Sequence, residues 1–258
     1  MGKIIAISNH KGGVGKTTTA ISLSAAFVLH NKHVLLIDMD PQGNCAGGLG
    51  LDNSLFTYTI ADALSKKCNI DKAIVKTTFK NLDLLPSNVN LAIVETKIHE
   101  AEPFKILKHL LKKVINSYDY IIIDTPPSFG YLSISSLIAA DEVLIPVQCE
   151  YFALEGVAQI LATISNVQQM YNEDLSILGF VMTMYDSRLK LATDVTMEIR
   201  GLFKEKTFVT QIPKNNSIVE AQKEGIPITF YRPNASGAVA YMSLAREILN
   251  YEEEHTSK

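Results

Sequence analysis

His10-Lys11-Gly12-Gly13-Val14-Gly15-Lys16-Thr17-Thr18 is the stretch that decides the architecture. It follows the apolar run Ile4-Ile5-Ala6-Ile7 and opens a helical pattern, Lys16 to about His30, with Ile21, Leu23, Ala25 and Leu29 among small residues. A glycine-rich turn between strand and helix suits a phosphate group: without Cβ atoms the backbone N–H groups converge, and the helix N-terminus adds free donors and partial positive charge. Lys16 is then expected to bridge phosphate oxygens, and the Thr17 hydroxyl to ligate Mg²⁺. The stretch departs from GxxxxGK[ST], because His10 stands where that pattern has glycine and a second lysine, Lys11, opens the loop. Lys11 is poorly placed to serve its own triphosphate. A role across a dimer interface, like that of an arginine finger, is expected of it, and such fingers are worth about 10³–10⁵ in rate. His10 either contacts nucleotide or faces outward.

Working outward, further apolar runs follow at Val34–Ile37, Tyr120–Ile123, Val143–Val147, Ile177–Met184 and Phe208–Ile212, with helical patterns between them. Near-continuous apolar strands imply burial on both faces, and strand–helix alternation implies right-handed crossovers. The expected fold is α/β, a doubly wound, mostly parallel sheet with helices on both faces, in one domain over 1–258. Residues 49–102 are less regular, and a small hairpin with short helices outside the main sheet is expected there. The acidic end, 251–258, is expected to fray. Met182 and Met184 alternate along a strand and are expected in the core, while His99 and His109 are read as surface. The first strand begins at residue 3 or 4, so no operator-binding domain is expected ahead of it.

Two carboxylate stretches share the end of the sheet where ligands of open α/β folds gather. In Leu36-Ile37-Asp38-Met39-Asp40-Pro41-Gln42-Gly43-Asn44, Asp40 is expected to orient the attacking water, with Asp38 nearer the metal shell. In Ile121-Ile122-Ile123-Asp124 the strand ends on an acid that should reach Mg²⁺.

Composition excludes other classes. Of 258 residues, 47% are hydrophobic and 20% charged, an ordinary globular balance. Cys45, Cys68 and Cys149 form no CxxC pair, which argues against a disulfide framework, a zinc site or a shared iron–sulfur cluster. No run approaches the roughly 18 apolar residues of a spanning helix, and no signal peptide is visible, so a cytoplasmic protein is expected. The formal charge is -3, yet residues 188–232 carry eight basic against five acidic side chains, so a basic face on an acidic body is expected.

Together Lys11–Thr18, Asp38–Asn44 and Asp124–Ser128 resemble the deviant Walker A ATPases, most closely the ParA/Soj partition branch. Later stretches, Pro146-Val147-Gln148 with Glu150-Tyr151, Leu154-Glu155-Gly156 and Ile212-Pro213-Lys214-Asn215, look like that branch too. The resemblance implies a switch that binds ATP and Mg²⁺ through Lys11, Gly12, Gly13, Val14, Gly15, Lys16, Thr17 and Thr18. It also implies that Pro213 and Asn215 flank the adenine, and that Lys11 reaches the phosphates of the second protomer in an ATP-dependent homodimer. Such a dimer holds double-stranded DNA without sequence preference, associates with the nucleoid, and hydrolyses ATP weakly until a ParB-type partner stimulates it. Arg188, Lys190 and Lys214 are the candidate DNA contacts, while Asn216-Ser217-Ile218 stands where partition relatives often carry a basic residue. A MinD-like membrane switch shares the nucleotide site, but three glutamates follow its final helical stretch here, and they would be repelled by anionic lipid. An ATP-dependent amide ligase on this fold would need a small-molecule pocket.

Overall fold

Successive side chains of a strand point to opposite faces, so a strand covered on both faces must be apolar at every position. That is how the runs of this chain are used. Ile4, Ala6, Leu35, Ile37, Ile121, Ile123 and Ile145 join one core cluster, while Ile5, Ile7, Val34, Leu36, Ile122 and Leu144 join a second. The computed structural model of the protein describes residues 2–97 and 102–256. Its strands are β1 Lys3–Ile7, β2 Val34–Asp38, β3 Val75–Lys76, β4 Leu82–Leu85, β5 Tyr120–Asp124, β6 Glu142–Gln148, β7 Ser176–Tyr185 and β8 Thr207–Pro213. They form one eight-stranded sheet in the order β3-β4-β2-β5-β1-β6-β7-β8, parallel except for the β3–β4 pair.

Six helices position the site: α1 Lys16–Leu29, α2 Tyr131–Ala139, α3 Ala153–Met170, α4 Lys190–Phe203, α5 Asn216–Lys223 and α6 Ser236–Thr256. Residues of α2, α3 and α4 pack into the first cluster, and those of α1, α5 and α6 into the second. The sheet is therefore doubly wound, as the alternation of strands and helices implies. Among the described residues no helix is long and apolar enough to cross a membrane.

Two expectations, the hairpin and Met184, need correction. The hairpin within 49–102 is not outside the sheet: β4 pairs in parallel with β2 from Val34↔Leu82 to Ile37↔Leu85. Asp83 interrupts its apolar run and hides the strand. That acid is buried but satisfied, accepting from Lys76 Nζ at 2.6 Å and from the Tyr118 hydroxyl at 2.8 Å. Through the acidic end α6 continues to Thr256. Glu252 accepts from the Tyr120 hydroxyl and pairs with Lys3 at 3.3 Å, and Tyr251 accepts from Lys206 at 3.0 Å. Residues 257 and 258 lie outside the described residues, as does His99. Met182 is buried, but Met184 is 40% exposed, at a positive φ of 50° where the register of β7 on β8 shifts between Met182 and Tyr185.

The edge strand β8 is protected. The Glu247 carboxylate on α6 accepts the N–H groups of Val209 and Thr210 at 2.6 and 3.0 Å. Arg200 donates to the Val209 carbonyl at 3.2 Å. Free N–H and C=O groups on an edge invite pairing with another chain, and these side chains occupy them.

Candidate functional site

Strand order assembles the site. β2, β5 and β1 are consecutive neighbours, with Asp38↔Asp124 and Ile7↔Asp124 in register. The two aspartates and the loop leaving β1 thus emerge side by side at the carboxyl ends of parallel strands. Gly13 and Gly15 adopt φ of 78° and 87°, a left-handed conformation that lets the loop wrap before α1 begins. Neighbouring strands brace the loop from outside: Thr183 donates to the Val14 carbonyl at 2.9 Å and Thr125 to the Ile7 carbonyl at 2.9 Å. Asn9, buried, donates to the Pro146 carbonyl at 2.7 Å and accepts the Lys11 N–H at 3.1 Å.

The two lysines diverge. Lys16 is buried and its ammonium donates to the Lys11 carbonyl at 3.0 Å, folded back across the loop. Burial lowers its pKa, opposed by the charges of Asp124 and Asp40. The Lys11 ammonium instead leaves the loop and pairs with Glu150, just beyond β6. His10 is exposed and stacks on Phe129 with centroids 4.3 Å apart.

Asp38 and Asp124 are both fully buried. Asp38 accepts N–H groups from Asp40 at 3.0 Å and Cys45 at 2.9 Å, so it also builds the turn that carries Asp40. Asp40 itself is half-buried and accepts the Gln42 N–H at 2.9 Å. The Cys45 thiol bonds Asp124 Oδ2 at 3.5 Å, the Thr17 hydroxyl lies close enough to oppose the rise of the Asp124 pKa, and Asp124 Oδ1 is buried without a partner. Burial pushes the pKa of both acids upward, and Asp38 raises Asp124 further. Ligand atoms of Asp38, Cys45 and Asp124 lie within 4.8 Å of one another. An orphaned carboxylate oxygen beside a hydroxyl and a second acid is an oxygen-rich set that fits Mg²⁺, whose charge would offset the two carboxylates.

A pocket beside the loop is lined by Gly15, Thr18, Met184, Pro213, Asn215 and Gln222, among others. Gly15, Thr18, Pro213 and Asn215 stand in recognisable sequence stretches, whereas Met184 has the pattern of a core residue and Gln222 carries no motif. Gln222 donates to the Thr18 hydroxyl at 2.7 Å and so ties α5 to the phosphate loop. Asn215 caps α5, accepting the Ser217 N–H at 2.7 Å, and donates to Ser236 at 2.5 Å.

The candidate DNA contacts are partly gathered. Arg188 and Lys214 line one groove with Tyr185, Asn216 and Ser217. The Lys214 N–H donates to the Tyr185 carbonyl at 3.1 Å, and Lys190 opens α4 two residues beyond Arg188. Asp186 engages Arg188 at both ends of its carboxylate, at 2.8 and 2.6 Å, so that cation is already paired. Arg232 donates to Ser217 at 3.2 Å and pairs with Glu220 at 2.8 Å. A distant arginine therefore stands at the point where the local sequence lacks a basic residue. The linear sequence gave no signal for that.

A glycine-rich loop with a buried lysine, facing paired acids on neighbouring parallel strands, defines a P-loop nucleotide-binding protein. Residues 2–177 match the family described as AAA domain. The sporulation initiation inhibitor protein Soj of Bacillus subtilis is 45% identical over 249 residues, covering 96% of this chain and 98% of that one. The chromosome partitioning protein ParA of Caulobacter vibrioides is 40% identical over 259 residues, covering 99% and 97%. The solved structure of cobyrinic acid a,c-diamide synthase from Mycobacterium smegmatis, with bound ADP and magnesium, superposes with a TM-score of 0.86. It is 35% identical and covers 98% of this chain and 96% of that one. The chain belongs to the Soj/ParA family of ATPases.

Proposed function

We propose that this protein is an ATP-driven dimerisation switch that holds DNA without sequence preference and serves the partition of a chromosome or plasmid. The observation that carries the reading is the divergence of the two lysines. Lys16 lies inside its own loop, while Lys11 leaves it, toward a face that a second copy would cover. ATP binds on the loop amides with Lys16 and Thr17, its adenine beside Pro213, Asn215 and Met184. Thr17, Asp38 and Asp124 would hold Mg²⁺, which would supply charge neutralisation on the phosphates. Two protomers close, each Lys11 reaches the other's nucleotide, and Asp40 orients water for a slow hydrolysis. Slow turnover suits a switch that must persist until a ParB-type partner triggers it. Arg188, Lys190, Lys214 and Arg232 of both protomers then form one basic surface, in a cytoplasmic protein associated with the nucleoid. The 45% identity to Soj over nearly the whole chain supports this reading over a small-molecule ligase.

The test is DNA binding by Asp40→Ala with ATP and with ADP across a salt series. Sequence-independent binding that needs ATP and weakens steeply with salt is expected. ATP-driven dimerisation with no DNA bound would move the function of the dimer surface to a protein partner.

A further inference from the structure

The Lys11–Glu150 pair has a consequence for how the switch reads its nucleotide. The backbone of Lys11 is fixed at both ends, its N–H on Asn9 and its carbonyl under Lys16. Gly156, in the first turn of α3, lies where an added Cβ would stand 3.9 Å from Lys11 Cβ and 3.6 Å from Asn9 Oδ1. Only the Lys11 side chain is left free to swing, and in the single protomer its ammonium sits on Glu150, each side chain about one-third exposed. Directly after Glu150, Tyr151 and Phe152 stand 81% and 60% exposed, edge to face with centroids 5.1 Å apart. Two large aromatic rings held out to solvent beside an ion pair suit a face that another copy of the chain covers.

We propose that Glu150 is a positioning residue that holds Lys11 in reserve and sets how strongly dimerisation discriminates ATP from ADP. This rests on the reading of Lys11 as a lysine that acts across the dimer. To reach a partner's nucleotide, Lys11 must exchange one carboxylate for phosphate oxygens. The γ-phosphate of a triphosphate offers more negative charge than the single carboxylate and extends to where the partner's lysine can meet it, so the exchange is favourable with ATP. A diphosphate lacks the γ-phosphate, and Lys11 stays on Glu150. Without the carboxylate that threshold falls.

Partly exposed ion pairs shift an equilibrium by about 1.4- to fivefold. Closing a dimer breaks two such pairs, so removing both is expected to tighten dimerisation by about two- to 25-fold. Sedimentation velocity with Mg²⁺ and AMPPNP, or Mg²⁺ and ADP, reads this directly on wild type, Glu150→Gln, Glu150→Ala and Lys11→Ala. Both Glu150 variants should dimerise more tightly with AMPPNP and gain a measurable ADP dimer. The gap to wild type should narrow as salt rises, since salt screens the pair. Adding Glu150→Gln to Lys11→Ala should change nothing, because the acid acts through the lysine. Weaker or unchanged dimerisation of both Glu150 variants would overturn the proposal and leave the trans role of Lys11 standing. Normal dimerisation and stimulated turnover of Lys11→Ala would instead remove the reading on which it rests.

Discussion

Replacing Asp124 by Asn should make the nucleotide-free protein more stable and unable to gain stability from Mg²⁺ and ATP. Asp124 is fully buried, close to the equally buried Asp38, and its Oδ1 has no partner. A buried group left without a partner costs about 1–3 kcal/mol, more if charged. Asparagine keeps the shape, its carbonyl can accept from the Cys45 thiol, and its amide replaces the unpartnered oxygen with a neutral group. At neutral pH the gain is therefore set at about 1–3 kcal/mol. For a chain of this size each kcal/mol moves Tm by roughly 2–4 °C, which gives roughly 2–12 °C. The sign of the pH dependence follows from linkage. The folded pKa of Asp124 is raised by burial and by Asp38. Its cost is therefore absent below the unfolded value near 3.8 and grows as pH rises toward the folded value. The variant's advantage should vanish near pH 4 and be largest at neutral to mildly alkaline pH. Scanning calorimetry in EDTA and in Mg²⁺ with ATP, at several pH values, measures all of this. An apo variant less stable than wild type at pH 7 would refute the reasoning, as would a variant that keeps the full Mg²⁺-dependent gain.

Three other outcomes are expected. Glu247→Ala uncaps two N–H groups of the edge strand, so urea unfolding should show a loss of about 1–2 kcal/mol and light scattering should show association at high concentration. Unchanged stability and scattering would deny the cap. Gly43→Ala places a Cβ 2.9 Å from the Ser87 carbonyl at a φ of 66°, so at least about 1 kcal/mol of stability should be lost, together with hydrolysis, because the turn also carries Asp40. Lys214→Ala should lower the salt slope of DNA binding by about 0.9 per protomer, and Asp186→Asn, which frees Arg188, should raise it by a similar amount. Equal slopes in anisotropy titrations of a duplex would take the groove out of the DNA surface.

Much of the fold was legible in the linear sequence because local physics writes it there. Uninterrupted apolar runs such as Tyr120–Ile123 are required of strands covered on both faces, and glycines 13 and 15 are required where the backbone turns left-handed. The same local logic named Lys16, Thr17, Asp40 and Asp124, since each sits at a strand end, a turn or a helix start whose chemistry is set within a few residues. Where a side chain depends on a distant partner, the signal disappears. Asp83 concealed β4 because the groups that satisfy it, Lys76 and Tyr118, are invisible to a pattern of apolar residues. The acidic end looked free because Tyr120 and Lys3 lie more than a hundred residues away. Glu150 beside Lys11, Arg232 beside Ser217 and Gln222 on Thr18 are likewise decided by which strands and helices become neighbours. The sequence determined six of the eight strands, the phosphate loop and the acids facing it, through residue types that short-range geometry demands. The tertiary structure alone decided the partners of those groups, because ion pairs and hydrogen bonds form by proximity in space, which strand order creates.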